Sequence, residues 1–377
     1  MRRTGINKIA AGLAGIFIIV LSLVPGAGPA LAQGEPAVIS MSVQADFPSS
    51  IAFRMEASGS APITDIRLHY RVLRDSYARV VSEVKPVFTP AVRTSAVWTW
   101  DMRRSGGLPP GTVLEYWWTI RDAAGKSAVS EVREFVFEDG RFQWRRTSGD
   151  NLVLYWYRGS ENSARQTLAA ALEGLAGLEE KTGARLTKPV NIYAYADTED
   201  MVGAMIFPQE WVGAATYSDF GTIIIGLSDD SDWNTDTMVH ELAHVVSYQL
   251  TRGPYSNLPV WLSEGFSMYA EGEMDIFTES TLVSALNDDA TITVRSLSCP
   301  FSAEPALSYL AYAESYSIVD YLVSTYGQEN ILSLLEVFRR GAGYDEALEQ
   351  VYGFDMDGLY DRWLKYALRE YVGVGAA

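Results

Sequence analysis

Histidine is scarce in this chain: three residues in 377, beside a single cysteine and only 30 lysines and arginines. The lone Cys299 excludes an intramolecular disulfide, so packed cores must hold the fold. Thirty basic residues against 47 acidic ones leave a net charge of −17. That balance argues against nucleic acid and against anionic membrane surfaces as partners, because both are recognised through basic patches. Internal repeats and low-complexity linkers are absent, and beyond the N-terminus no segment reads as a transmembrane helix.

The one long apolar run stands at the start. "MRRTGINK" carries three positive charges, Ile9 to Val24 is uncharged and mostly apolar, and small residues occupy Ala30 and Ala32. This pattern predicts a secretory signal over residues 1–32, cleaved after Ala32, and hence a secreted protein. The alternative is an uncleaved N-terminal membrane anchor, since ~20 apolar residues span a bilayer. Pro25, Gly26, Gly28 and Pro29 interrupt the run before that length. Cleavage removes Arg2, Arg3 and Lys8 and no acid, taking the charge from −17 to −20.

Roughly 345 remaining residues suggest two domains. Over residues 36–140, short alternating segments dominate. "IRLHYRV" puts Ile66, Leu68, Tyr70 and Val72 on one face of a strand and Arg67, His69 and Arg71 on the other. "SAVWTWDM", "LEYWWTIRD" and "REFVFED" repeat the pattern between turn signals, which predicts an all-β sandwich. The stretch "LPPGTVLEYWWTIRDAAG" resembles a fibronectin type III or immunoglobulin-like domain in its turns and strands. His69 is expected to be a solvated strand residue.

From residue 150 to 372 the periods lengthen. "NLVLYWY", "PVNIYAYA" and "GTIIIGL" read as strands, and a helix with Leu168, Ala171, Leu172, Leu175 and Leu178 on its apolar positions ends at Gly183. Beyond residue 235 the patterns are mostly helical, so an α+β domain with a mostly helical C-terminal half is expected. The boundary between the two domains falls near Phe142 to Gly149.

Two of the three histidines lie in "HELAH". On a helix His240 and His244 share a face one turn apart, with Glu241 at its edge, so two imidazoles can bind one zinc while the carboxylate reaches water. Asn234, Thr235 or Asp236 can cap that helix. A third ligand should be a carboxylate on a neighbouring helix. Glu264, with nineteen residues between it and His244 on a segment opened by Pro259, shares a face with Trp261, Met268 and Glu271. An acid on so apolar a face needs a cation or donor. Glu271 is either an outer acceptor for a ligand histidine or an exposed acid.

"HELAH", followed after nineteen residues by the Glu264 of "WLSEGFSMYAEG", resembles the gluzincin metallopeptidases of the peptidase MA-like kind. The resemblance implies one zinc per chain on His240, His244 and Glu264, with Glu241 as general base. "YAESYSIVDYL" is similar to the tyrosine-bearing helix of aminopeptidase-type members, which gives Tyr312 the role of oxyanion donor. No "GxMEN"-like segment is present. The resemblance further implies a peptide or protein substrate lying along an edge strand, with Gly213 and Ala214 presenting backbone groups to it. Two histidines and a glutamate leave a coordination position open, as in catalytic zinc sites, and hydrolysis of a peptide bond follows. The competing reading is an exported adhesion or carbohydrate-binding protein with a structural or decayed metal site. Its surface would come from Trp98, Trp100, Trp117 and Trp118.

Overall fold

The computed structural model describes residues 34–208, 213–228, 231–255 and 257–373; the expected signal segment 1–32 lies outside them. A sheet-rich N-terminal region precedes a second sheet and a mostly helical C-terminal half.

Seven antiparallel strands form the first region: β1 (Ala37–Asp46), β2 (Ser50–Val72), β3 (Ser82–Val84), β4 (Ala91–Asp101), β5 (Thr112–Asp122), β6 (Ser127–Val129) and β7 (Arg133–Phe137). The sandwich expectation implies two separate sheets. The hydrogen bonding instead joins all seven strands into one sheet. The reason is the length of β2, 23 residues. Its first part, Ser50–Ser58, pairs with β1 and β4; after a register break between Ser58 and Ile63 its second part pairs with β5 and β3. Period-two alternation turns Ile51, Phe53, Met55 and Ala57 of β2, and Leu114, Tyr116, Trp118 and Ile120 of β5, into one shared core. Trp98 and Trp100 pack half-buried against that core, Trp118 is buried within it, and Trp117 stacks on His69 at 5.4 Å. His69 is therefore half-buried rather than solvated, with Nε2 3.0 Å from Thr119 Oγ1.

The second sheet contains β8 (Arg145–Gly149), β9 (Leu152–Trp156), β10 (Val190–Tyr195), β11 (Ala214–Tyr217) and β12 (Thr222–Gly226), in the order β11-β12-β10-β9-β8. β9, β10 and β12 are parallel, and the two edge strands run antiparallel to their neighbours. β8 lies in the stretch read as the domain boundary; "RRTSG" has no apolar alternation to announce a strand.

Ten helices are described: α1 (Glu161–Thr182), α2 (Thr198–Val202), α3 (Ser231–Thr251), α4 (Val260–Glu271), α5 (Ile276–Asn287), α6 (Val294–Leu297), α7 (Pro305–Tyr326), α8 (Gln328–Arg339), α9 (Tyr344–Tyr352) and α10 (Met356–Ala367). α1 is capped by the Ser160 side chain and ends at Gly183, whose φ of 73° suits glycine. α1 and α3 cover one face of the second sheet through Leu168, Ala171, Met238, Leu242 and Val245. The opposite side of α3, with Val239, Ala243 and Val246, joins the helical core built on Trp261, Phe266, Val319 and Trp363. The metal-motif helix is thus wedged between sheet and bundle. Its C-terminal end is tied to the loop that follows β2, where Arg252 pairs with Asp75 at 2.8 Å and the Tyr248 hydroxyl donates to the Asp75 carbonyl at 3.0 Å. No described helix is long and apolar enough to cross a membrane.

Candidate metal centre and active site

α3 begins at Ser231, earlier than caps at Asn234 to Asp236 allow. Asn234 instead accepts from the Ser228 main-chain N–H at 2.8 Å, a contact that sequence spacing does not disclose. The helical period still holds. His240 and His244 sit one turn apart with ring centroids 4.8 Å apart and planes at 80°. α4 starts after Pro259 and buries Trp261, Leu262 and Phe266, which turns Glu264 toward α3.

The three side chains converge. Nε2 of His240 and Nε2 of His244 each lie 3.5 Å from Glu264 Oε2, and one donor atom from each residue falls within 4.8 Å of the others. Tetrahedral zinc with bonds near 2.0–2.1 Å holds its ligand atoms about 3.3 Å apart, so the spacing fits. The outward nitrogens are engaged as well: His240 Nδ1 is 2.5 Å from Glu271 Oε1, and His244 Nδ1 is 3.2 Å from Ser263 Oγ. Such contacts fix the ring orientation and leave Nε2 available. Ser263 was not anticipated, although it directly precedes Glu264.

Charge is concentrated here. Burial lowers the pKa of His240, but Glu264, Glu271 and Glu241 outweigh it and push the ring up to about 10. Burial raises Glu264, yet the two histidines bring it down to about 2. Three acids around two imidazoles form a site that favours a cation.

Glu241 faces the same cleft. Its Oε2 accepts a hydrogen bond from the Thr216 hydroxyl on β11. Tyr312, half-buried on α7 with its ring against Phe301, has its phenol pushed up to about 12, first by burial and then by Glu264, Glu241 and Glu271. Its neighbours on α7 lie elsewhere. Tyr309 is 53% exposed and packs on Phe277, whereas Tyr316 is buried against Tyr269.

A cleft of about 600 Å³ runs from Glu264 and Glu241 past His244 toward Thr251 and Asn257, with Ala214 to Thr216 along one side. Among the described residues β11 is an edge strand, and its register fixes which of its backbone groups they leave free. Gly226 N–H donates to the Gly213 carbonyl, so Gly213, Ala215 and Tyr217 point their polar groups at β12. Ala214 and Thr216 point theirs to the open edge. Of the two expected backbone contacts, Ala214 has the required orientation, and Gly213 does not because its carbonyl is already paired.

The sequence profile described as the peptidase MA superfamily matches residues 170–369. The chain belongs to the peptidase MA superfamily. As a member of that superfamily it carries both histidines, Glu241, Glu264 and Tyr312 inside the matched region. Among solved structures, the M1 zinc metallopeptidase from Deinococcus radiodurans is similar at 13% identity, over 89% of this chain and 96% of that one, with a TM-score of 0.40. OgpA from Akkermansia muciniphila aligns at 10% identity over 28% of this chain, with a TM-score of 0.22, and this chain spans only 28% of its length. A carbohydrate-binding module family 56 β-1,3-glucan binding domain aligns at 13% identity over 26% of this chain and 95% of its own, with a TM-score of 0.16. No curated protein sequence matches this superfamily member.

Proposed function

We propose that this chain is an exported zinc-dependent peptidase that hydrolyses peptide bonds in peptide or protein substrates. The observation carrying the reading is the convergence of His240, His244 and Glu264 beside Glu241, in a cleft bordered by a strand edge that no described residue pairs with. The donor set of two imidazole nitrogens and one carboxylate fits a single zinc ion with an open position. Bound there, zinc supplies Lewis acidity and lowers the pKa of water toward 7.

The remaining work falls to the chain's own residues. A substrate backbone pairs as an added strand with the outward main-chain groups of Ala214 and Thr216. Glu241 takes a proton from the attacking water and passes it to the leaving nitrogen. Tyr312, kept protonated by burial and neighbouring acids, donates to the carbonyl oxygen as negative charge builds there. Glu271 and Ser263 hold the two imidazole rings in orientation from behind. Export rests on the basic start, apolar run and small residues of the first 32 positions.

Glu241→Gln is the decisive variant. It keeps the side-chain size and can still accept from Thr216, but it cannot act as a base. The expected result is full zinc content with peptide hydrolysis reduced on the order of 10²- to 10⁴-fold. Parental hydrolysis in that variant would remove Glu241 from the role.

A further inference from the structure

Thr216 stands in two relationships at once. As a residue of β11 its main chain faces the open edge of the sheet, by the register set at Gly213 and Gly226. Its side chain reaches α3, 25 positions away in sequence, where the hydroxyl lies within bonding distance of both the Glu241 carboxylate Oε2 and the Glu241 main-chain carbonyl, the latter at 3.3 Å. A hydroxyl has one proton to give, and both neighbours are acceptors. The carboxylate is the stronger acceptor and the nearer, so the hydroxyl donates there.

We infer that Thr216 is a positioning residue, orienting the Glu241 carboxylate relative to the strand edge on which the substrate lies. A glutamate has three side-chain torsions, and those of Glu241 are not fixed by metal coordination, since it is not among the converging donors. Left free, it would sample several rotamers, and ordering it for each turnover would cost conformational entropy. The Thr216 hydroxyl anchors Oε2, and Oε1 makes no other hydrogen bond among the described contacts. The same residue's N–H and carbonyl would register the substrate backbone. One residue therefore sets the distance between base and scissile bond from both sides. Misplacement by about 1 Å can cost on the order of 10²-fold in rate. The inference rests on the proposed peptidase function.

The test compares Thr216→Val with Thr216→Ser in the full-length chain. Valine matches threonine in shape and suits a strand, but it has no hydroxyl; serine restores the hydroxyl. Expected for valine is a fall in kcat of about 10- to 100-fold, with KM and zinc content near parental and serine recovering most of the loss. A second measurement needs no turnover. Thr216→Val should lower the denaturant midpoint of the parent by more than that of Glu241→Ala, where only the longer contact with the main-chain carbonyl of residue 241 is left to lose. Equal midpoint shifts in the two backgrounds, or a valine variant with parental kcat, would overturn the inference. Unequal shifts in a protein that cleaves no peptide would uphold the contact and count against the proposed function alone.

Discussion

Gly265 and Ser315 are in backbone contact: a Cβ placed on Gly265 would lie 2.2 Å from the Ser315 carbonyl oxygen. Gly265 directly follows Glu264, and Ser315 is three residues beyond Tyr312, so this approach sets the spacing between α4 and α7. Two opposing effects attend Gly265→Ala. Helix propensity alone would stabilise by ~1 kcal/mol, whereas overpacking costs ~1–3 kcal/mol. The atom struck is main chain and cannot swing aside, so overpacking wins. Denaturant unfolding should show a net loss of stability, with hydrolysis reduced because α7 and Tyr312 move outward. A more stable variant would refute this.

Metal content follows from the donor set. The purified protein should carry about one zinc per chain, and chelation should abolish hydrolysis. His240→Ala, His244→Ala and Glu264→Ala should each lose the metal in dialysis. Glu271→Gln, which alters only the contact behind His240, should weaken zinc binding on the order of 10- to 100-fold. Stoichiometric zinc surviving in Glu264→Ala would move the third ligand elsewhere.

Tyr312→Phe removes one phenolic donor and keeps the ring's edge contact with Phe301. Its kcat should fall on the order of 10²- to 10³-fold, with KM and zinc content little changed. Tyr309→Phe and Tyr316→Phe make useful controls, since one ring is exposed and the other packs on Tyr269. An equal loss in either control would argue against a specific role for Tyr312.

Glu314 is buried on α7, where burial raises its pKa to about 8 although both carboxylate oxygens accept from the Ile292 N–H at 3.0 and 3.1 Å. Its folded pKa exceeds the ordinary value of 4.5. The folded state therefore holds the proton more tightly, and the associated stability is complete below pH 4.5 and lost as pH rises through 8. Glu314→Gln cannot titrate. Between pH 5 and 8 the parent should lose stability relative to that variant by on the order of a few kcal/mol. Parallel stability–pH curves for the two proteins would contradict the assignment.

The convergence of His240, His244 and Glu264 was legible because its geometry is local. A four-residue separation on a helix fixes two imidazoles on one face wherever the helix goes, and the apolar company of Glu264 marks an acid in need of a partner. The Gly183 helix end and the three central strands of the second sheet, β9, β10 and β12, were legible for the same reason. Long-range pairing was not. Nothing local in "SGSAPIT" says that β2 continues through it and joins seven strands into one sheet. Which backbone groups of β11 are free depends on a single register bond between Gly226 and Gly213, and a shift of one residue would exchange the roles of Gly213 and Ala214. The Thr216 hydroxyl meets Glu241 only once sheet and helix have docked, and the dipeptide "AT" carries no sign of it.

The open side of β11 also bears on solubility. An unpaired strand edge is a template for any extended chain, including a second copy of this protein or a partly unfolded one. β11 is only four residues long, and only Ala214 and Thr216 direct their main-chain groups outward. Self-association through that edge would gain few hydrogen bonds and would bring the carboxylates of Glu241 and Glu264 on one copy toward those of another. Shortness and like charge thus protect this edge from aggregation while leaving it open to a single incoming strand.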